Sequence, residues 1–87
     1  MKKLEEFIMR NIAGENILVP VGATTQKFNG MISLSETAAF IWENLEKCEG
    51  IEDMVDLMLE EFEIDRETAE KDTKQFIDEL KANGFIE

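Results

Sequence analysis

Carboxylates dominate the chemistry available to this sequence. It carries 20 Asp and Glu residues against 9 Lys and Arg, no His and one Cys in 87 residues. Two neighbouring carboxylates can divide acid and base roles when their surroundings separate their pKa values. Glu60-Glu61 and Asp78-Glu79 have that adjacency. At this density of acids such pairs arise by chance, so neither marks a catalytic site. Zinc needs three or four ligands from Cys, His and carboxylate, and Ser-His or Cys-His nucleophiles need an imidazole. Cys48, placed at the end of a helical stretch, has no base beside it and a dipole that disfavours the thiolate. Gly22, Gly30 and Gly50 stand apart and form no phosphate loop. The expectation is therefore no catalytic residue, no metal site and no cofactor.

The acids are unevenly spread. Residues 1–50 hold seven acids and five bases, whereas residues 51–87 hold thirteen acids and four bases. Nucleic acids are held through Lys and Arg on phosphates, so this balance argues strongly against a nucleic-acid partner and points to a protein or peptide. Most of the acids serve solubility. A lone Cys forms no disulfide framework and suits a reducing cytoplasm. No apolar run reaches signal-peptide length or the roughly 20 residues of a membrane span. Eighty-seven residues amount to one domain, 1–87, with six Phe, one Trp and five Met for its core.

The elements that position these residues centre on Asn29–Trp42, NGMISLSETAAFIW. A turn pair, Asn29-Gly30, precedes a short apolar run, Met31–Leu34. A helix follows at once from Ser35, with Ser33 and Glu36 at capping-box spacing. Ala38, Ile41, Trp42 and Leu45 recur at helical intervals to about Lys47. Upstream, Met1–Glu6 is expected to fray. Phe7–Ala13 and Ile17–Val21 read as a hairpin about Gly14, with Pro20 suited to an end or edge, and Gly22–Lys27 connects onward. A third strand runs through Phe28 or Met31 to Leu34.

Downstream, Ile51 to about Phe62 places Ile51, Met54, Val55, Met58, Leu59 and Phe62 on one helical face. Asp65 caps a third helix reaching about Asn83, with Ala69, Thr73, Phe76, Ile77 and Leu80 as its stripe. Glu43–Lys47, Glu67–Lys71 and Glu70–Lys74 have ion-pair spacing. Asn83-Gly84 stops the helix, and Phe85-Ile86 must return to the core. The expected fold is α+β: a three-stranded antiparallel sheet followed by three helices, similar to a winged helix-turn-helix with its sheet moved to the front.

Trp42 reads as a core anchor, and Phe76 as either core or the rim of a groove. The third strand lacks the charge, proline or bulge that usually blunts a sheet edge. Such an edge invites an extended peptide to add as a further strand, with pockets reading alternate side chains. The third helix would form the opposite wall. The chain's own N-terminus or a second copy could cover the same edge, so a homodimer stays open.

Three stretches carry a resemblance to a known family: Ile17–Val21, FNGMISLSETAAFIW (Phe28–Trp42) and EEFEIDRETAEKDTKQFIDELKANGFIE (Glu60–Glu87). Together they resemble the coenzyme PQQ synthesis protein D family, with similarity from about Phe7 to Ile86. The telling parts are Leu34–Ala38, the Ile41-Trp42 pair, Asp72 followed by Phe76 and Leu80, and Asn83-Gly84-Phe85-Ile86. Ser35 stands where Asn is common in the family, one good helix cap for another. The resemblance implies a recognition module for the leader segment of a ribosomally made, later modified precursor peptide. The leader would be held as an added strand between the third strand and third helix and delivered to a modifying enzyme, often a radical SAM protein. It places the peptide on Gly30, Met31, Ile32, Ser33 and Leu34, and on Asp72, Gln75, Phe76 and Glu79. The competing class is a winged-helix DNA-binding regulator, which the acids Glu67, Glu70, Asp72, Asp78 and Glu79 on the third helix oppose.

Overall fold

A computed structural model describes residues 1–28 and 30–87. Its elements follow the expected order. Strands β1 (Phe7–Ile12), β2 (Glu15–Pro20) and β3 (Ile32–Leu34) form one sheet in the order β1-β2-β3. Both pairings are antiparallel. Helices α1 (Glu36–Asn44), α2 (Ile51–Glu61) and α3 (Arg66–Ala82) follow. The architecture is the α+β, winged helix-like arrangement read from the sequence.

The β1–β2 hairpin turns on Ala13 and Gly14, both in the left-handed region at φ +53° and +84°, the conformation a tight hairpin turn of this hand requires. In the sheet, Phe7, Met9, Leu18, Ile32 and Leu34 share one face through the pairs Phe7–Pro20, Met9–Leu18, Leu18–Ile32 and Asn16–Leu34. That face packs on the helices. Leu18 and Leu45 are fully buried, with Ile41, Trp42, Met54, Val55, Met58 and Ile77 around them. Phe85 and Ile86 do return to the core. The Phe85 ring centroid lies 4.8 Å from those of both Phe7, which it meets tilted, and Phe28, which it meets edge to face.

Several local expectations are corrected. The third strand is shorter than read, Ile32–Leu34 alone. Beyond the Leu18–Ile32 pair its partner strand ends at Pro20, which has no N–H to give, and Gly30 turns away at φ +88°. Met31 therefore lies outside the strand and is 64% exposed. Asn29, the other half of the expected turn, falls outside the described residues. The connection after β2 contains a 3-10 turn, Gly22–Gln26. The last turn of the first helical stretch, Leu45–Lys47, is also 3-10.

The N-terminal segment does not fray. The Leu4 N–H donates to the Phe85 carbonyl at 2.8 Å, and the Glu87 N–H to the Lys2 carbonyl at 3.0 Å. Lys3 pairs with Ile86 as an antiparallel bridge, and its ammonium sits 4.5 Å above the Trp42 ring. The Met1 ammonium donates to the Cys48 carbonyl and to the Leu45 carbonyl, which also accepts the Cys48 N–H, at the end of the helical stretch. The first six residues thus close over the base of the core rather than over β3. The helix ion pairs also differ from the spacing-based set. Arg66 lies 3.8 Å from Glu70, and Lys74 2.8 Å from Asp78. Arg66 also reaches Asp56 on α2, at 3.0 Å.

Candidate peptide-binding cleft

The cleft is built where β3 runs into α1 with one residue between them. Ser35, extended at φ −66° and ψ 169°, caps α1 by accepting the Ala38 N–H on its hydroxyl at 3.2 Å. This replaces the expected Ser33–Glu36 box. Because the helix begins at once, its first turns cannot move away from the strand. Thr37, Ala38 and Ile41 are fixed beside Ile32–Leu34 and form the floor.

The wall opposite is α3. Asp65 caps it, accepting the Thr68 N–H at 3.3 Å. Hydrogen bonding from Thr68, led by its side chain, holds the Asp65 carboxyl below the ordinary aspartate range. Ala69, Thr73, Ile77 and Leu80 bury against the core. At 3.6 residues per turn, Asp72, Gln75, Phe76 and Glu79 fall on the neighbouring stripe. All four line the cleft with Ile32, Ser33 and Leu34. The open cleft holds about 420 Å³. A smaller pocket of about 150 Å³ shares Ile32, Leu34, Phe76 and Glu79 with the cleft; Leu18, Leu80 and Phe85 supply the rest of its apolar lining, and Asn83 joins Glu79 as its polar part.

Seven of the nine residues assigned from the resemblance therefore meet in one place: Ile32, Ser33, Leu34, Asp72, Gln75, Phe76 and Glu79. Gly30 and Met31 do not line it, because the chain has already turned out of the sheet. The sequence reading missed Ser35, Thr37, Ala38 and Ile41. Their signal was the absence of a loop between strand and helix, which obliges the first helical turns to border the strand. Phe76, ambiguous from sequence, is half-buried and stands at the rim. Trp42 is 3% exposed and belongs to the core. Cys48 is 2% exposed. Burial, with Asp53 nearby, pushes its thiol pKa up.

β3 is the last strand of the sheet, and no described residue pairs with its outer side. Its unpaired edge opens directly onto the cleft. Among the described residues no group of three or more His, Cys, Asp or Glu is arranged to hold a metal ion. No described helix is long and apolar enough to cross a membrane.

An open sheet edge walled by a helix, with a charged rim over an apolar pocket, defines a winged helix-like binding domain. The chain belongs to the coenzyme PQQ synthesis protein D (PqqD) family, whose model matches residues 14–86. Two solved structures are similar over nearly their whole length. One is TbiB1 in complex with the TbiA(beta) leader peptide, with 25% identity, a TM-score of 0.71, and 100% of this chain and 95% of that chain covered. The other is lasso peptide synthetase B1 complexed with the leader peptide, with 22% identity, a TM-score of 0.67, and 98% and 93% covered. No curated protein matches the chain at a significant level.

Proposed function

We propose that this chain is a non-catalytic module that takes the leader segment of a ribosomally made precursor peptide as an added strand on β3, against α3. The observation that carries this reading is the pairing of an unpartnered edge at Ile32–Leu34 with a side-chain cleft immediately beside it. An edge supplies backbone hydrogen bonds and a cleft reads alternate side chains, the two halves of recognition by strand addition. Family membership and the two leader-peptide complexes support the ligand class. The net charge of −11 opposes a DNA-binding role for the same fold.

The whole of 1–87 acts as one domain in this reading. It works as a carrier rather than a catalyst, supported by the absence of His and the burial of the one Cys. The bound leader would be presented to a modifying enzyme, a radical SAM protein by family resemblance, in the reducing cytoplasm that a single free thiol suits.

The test is an NMR titration of labelled protein with the leader segment of a short precursor peptide encoded beside it. Amide shifts centred on Ile32–Leu34, the first turn of α1 and the Asp72–Glu79 face of α3 are expected. Shifts confined to β1 or the outer face of α2 would overturn the assignment. Concentration-dependent broadening of β3 without peptide would show that a second copy takes the edge instead.

A further inference from the structure

The charges around the cleft lead from the site to the kind of sequence it accepts. Asp72 and Glu79 stand on its α3 wall, and Phe76 lies between them. The bases nearest along α3 are directed elsewhere or are absent from the lining: Lys74 is held by Asp78 at 2.8 Å, and Lys71 and Lys81 do not line the cleft. Neither Asp72 nor Glu79 makes an ion pair or side-chain hydrogen bond among the described residues. The cleft lining contains no Lys or Arg at all. A partner laid along β3 therefore meets two uncompensated carboxylates, placed along α3 on either side of Phe76, with Glu79 also at the edge of the smaller pocket.

The spacing is definite. Asp72 and Glu79 are seven residues apart, about 10.5 Å along the helix axis at roughly 1.5 Å per residue. In an extended peptide, side chains on one face recur every second residue, about 6.7 Å apart. A side chain entering the apolar pocket beneath Phe76 would thus have same-face neighbours about 6.7 Å to either side. For a strand laid along the α3 axis, these overhang the two carboxylates by about 1–2 Å, within reach of a flexible Lys or Arg stem.

We infer that the cleft selects an extended segment of the form basic–x–apolar–x–basic. An aliphatic or aromatic side chain would fill the pocket between Ile32, Leu34, Phe76 and Leu80, and flanking Lys or Arg residues would meet Asp72 and Glu79. The pattern reads the same in both directions, so it does not depend on which way the added strand runs. This inference rests on the strand-addition reading above, and it adds the chemistry of the segment.

The test uses three fluorescein-labelled synthetic 12-residue peptides in a neutral Ser/Thr background. One carries Lys-Thr-Leu-Thr-Lys. The second has the same composition with both Lys moved next to each other at one end. The third replaces both Lys with Glu. The patterned peptide is expected to bind about fivefold to tenfold more tightly than the rearranged one, as two partly exposed ion pairs allow. That preference should disappear in the double variant Asp72→Asn, Glu79→Gln, whose fold is checked by its amide spectrum.

Equal binding of the patterned and rearranged peptides would overturn the pattern, because the acidic chain then attracts any basic peptide without registering position. Cleft-centred amide shifts from all three peptides with equal affinity would also overturn it, while leaving strand addition intact. Binding with no shifts at Ile32–Leu34 would overturn both.

Discussion

Phe76→Ala separates the two duties of the cleft wall, because Phe76 stands at the rim and packs against the core at once. A Phe side chain buries about 150–250 Å² when fully covered. Phe76 is half-buried and lines both the cleft and the pocket beneath it. Roughly a quarter of that area, about 50 Å², is left for a ligand to cover. At about 25 cal/mol per Å², its loss weakens binding by about 1.2 kcal/mol, close to tenfold in Kd. A fully buried Phe→Ala change costs about 3–5 kcal/mol in folding, so a half-buried one should cost about 2 kcal/mol. In a domain of this size that lowers Tm by about 8–16 °C. The assay is fluorescence anisotropy with the leader-segment peptide, well below the variant's own Tm, beside a thermal melt. Phe76→Leu keeps most of the stability and supplies a folded comparison. A folded Phe76→Ala protein that binds with wild-type affinity would refute α3 as the cleft wall. An unchanged Tm would refute the packing assignment.

Three further outcomes follow from the same geometry. Thr73 is fully buried, and its hydroxyl has no hydrogen-bond partner among the described residues. An unsatisfied buried hydroxyl costs about 1–3 kcal/mol; at the lower end of about 1 kcal/mol, Thr73→Val should raise Tm by about 4–8 °C, and a lower Tm would show the hydroxyl to be satisfied. Asp65 is held below its ordinary value of 3.8 by hydrogen bonding from Thr68. Its contribution to stability is complete above that value and is lost as pH falls through the lower folded value. Asp65→Asn, which can still cap α3, should flatten that acid limb of a urea-midpoint-versus-pH curve, and parallel curves for the two proteins would count against it. Cys48, buried with a raised thiol pKa, should react with iodoacetamide far more slowly in the native protein than in denaturing urea. Equal rates would place the thiol at the surface.

The legible parts of the fold were those where one local signal had no competitor. Gly14 and the β-prone runs around it gave the hairpin, Asp65 gave the start of α3, and Asn83-Gly84 its end. The illegible parts depended on contacts distant in sequence. Lys2, Lys3 and Leu4 look like a polar, fraying start until Phe85, Ile86 and Glu87 are placed beside them. The Ser33–Glu36 spacing fits a capping box, yet Ser33 is committed to β3 opposite Ile17, which leaves Ser35 to cap. For the cleft, the α3 residues come from the family resemblance, and the structure brings Asp72, Gln75, Phe76 and Glu79 onto one face of α3 beside the buried stripe. From sequence the strand reaches back to Met31 or Phe28, but the end of β2 at Pro20, not the β-propensity of Met31, sets where β3 begins.

The shortness of β3 bears directly on how such a site discriminates. A three-residue edge points the backbone groups of alternate residues outward, enough for about two or three hydrogen bonds to an added strand. At a net of about 0.5–1.5 kcal/mol each, these contribute about 1–4 kcal/mol. Micromolar binding needs about 8 kcal/mol, with the entropic cost of association still to be overcome. The edge therefore orients the peptide without holding it. The remainder must come from the side chains on the walls: the apolar pocket under Phe76 and the carboxylates of Asp72 and Glu79. The backbone of β3 offers the same hydrogen bonds to any peptide. On the strand-addition reading proposed above, residues on the first turns of α1 and on the exposed stripe of α3, rather than those in the strand, are the ones that would select the peptide.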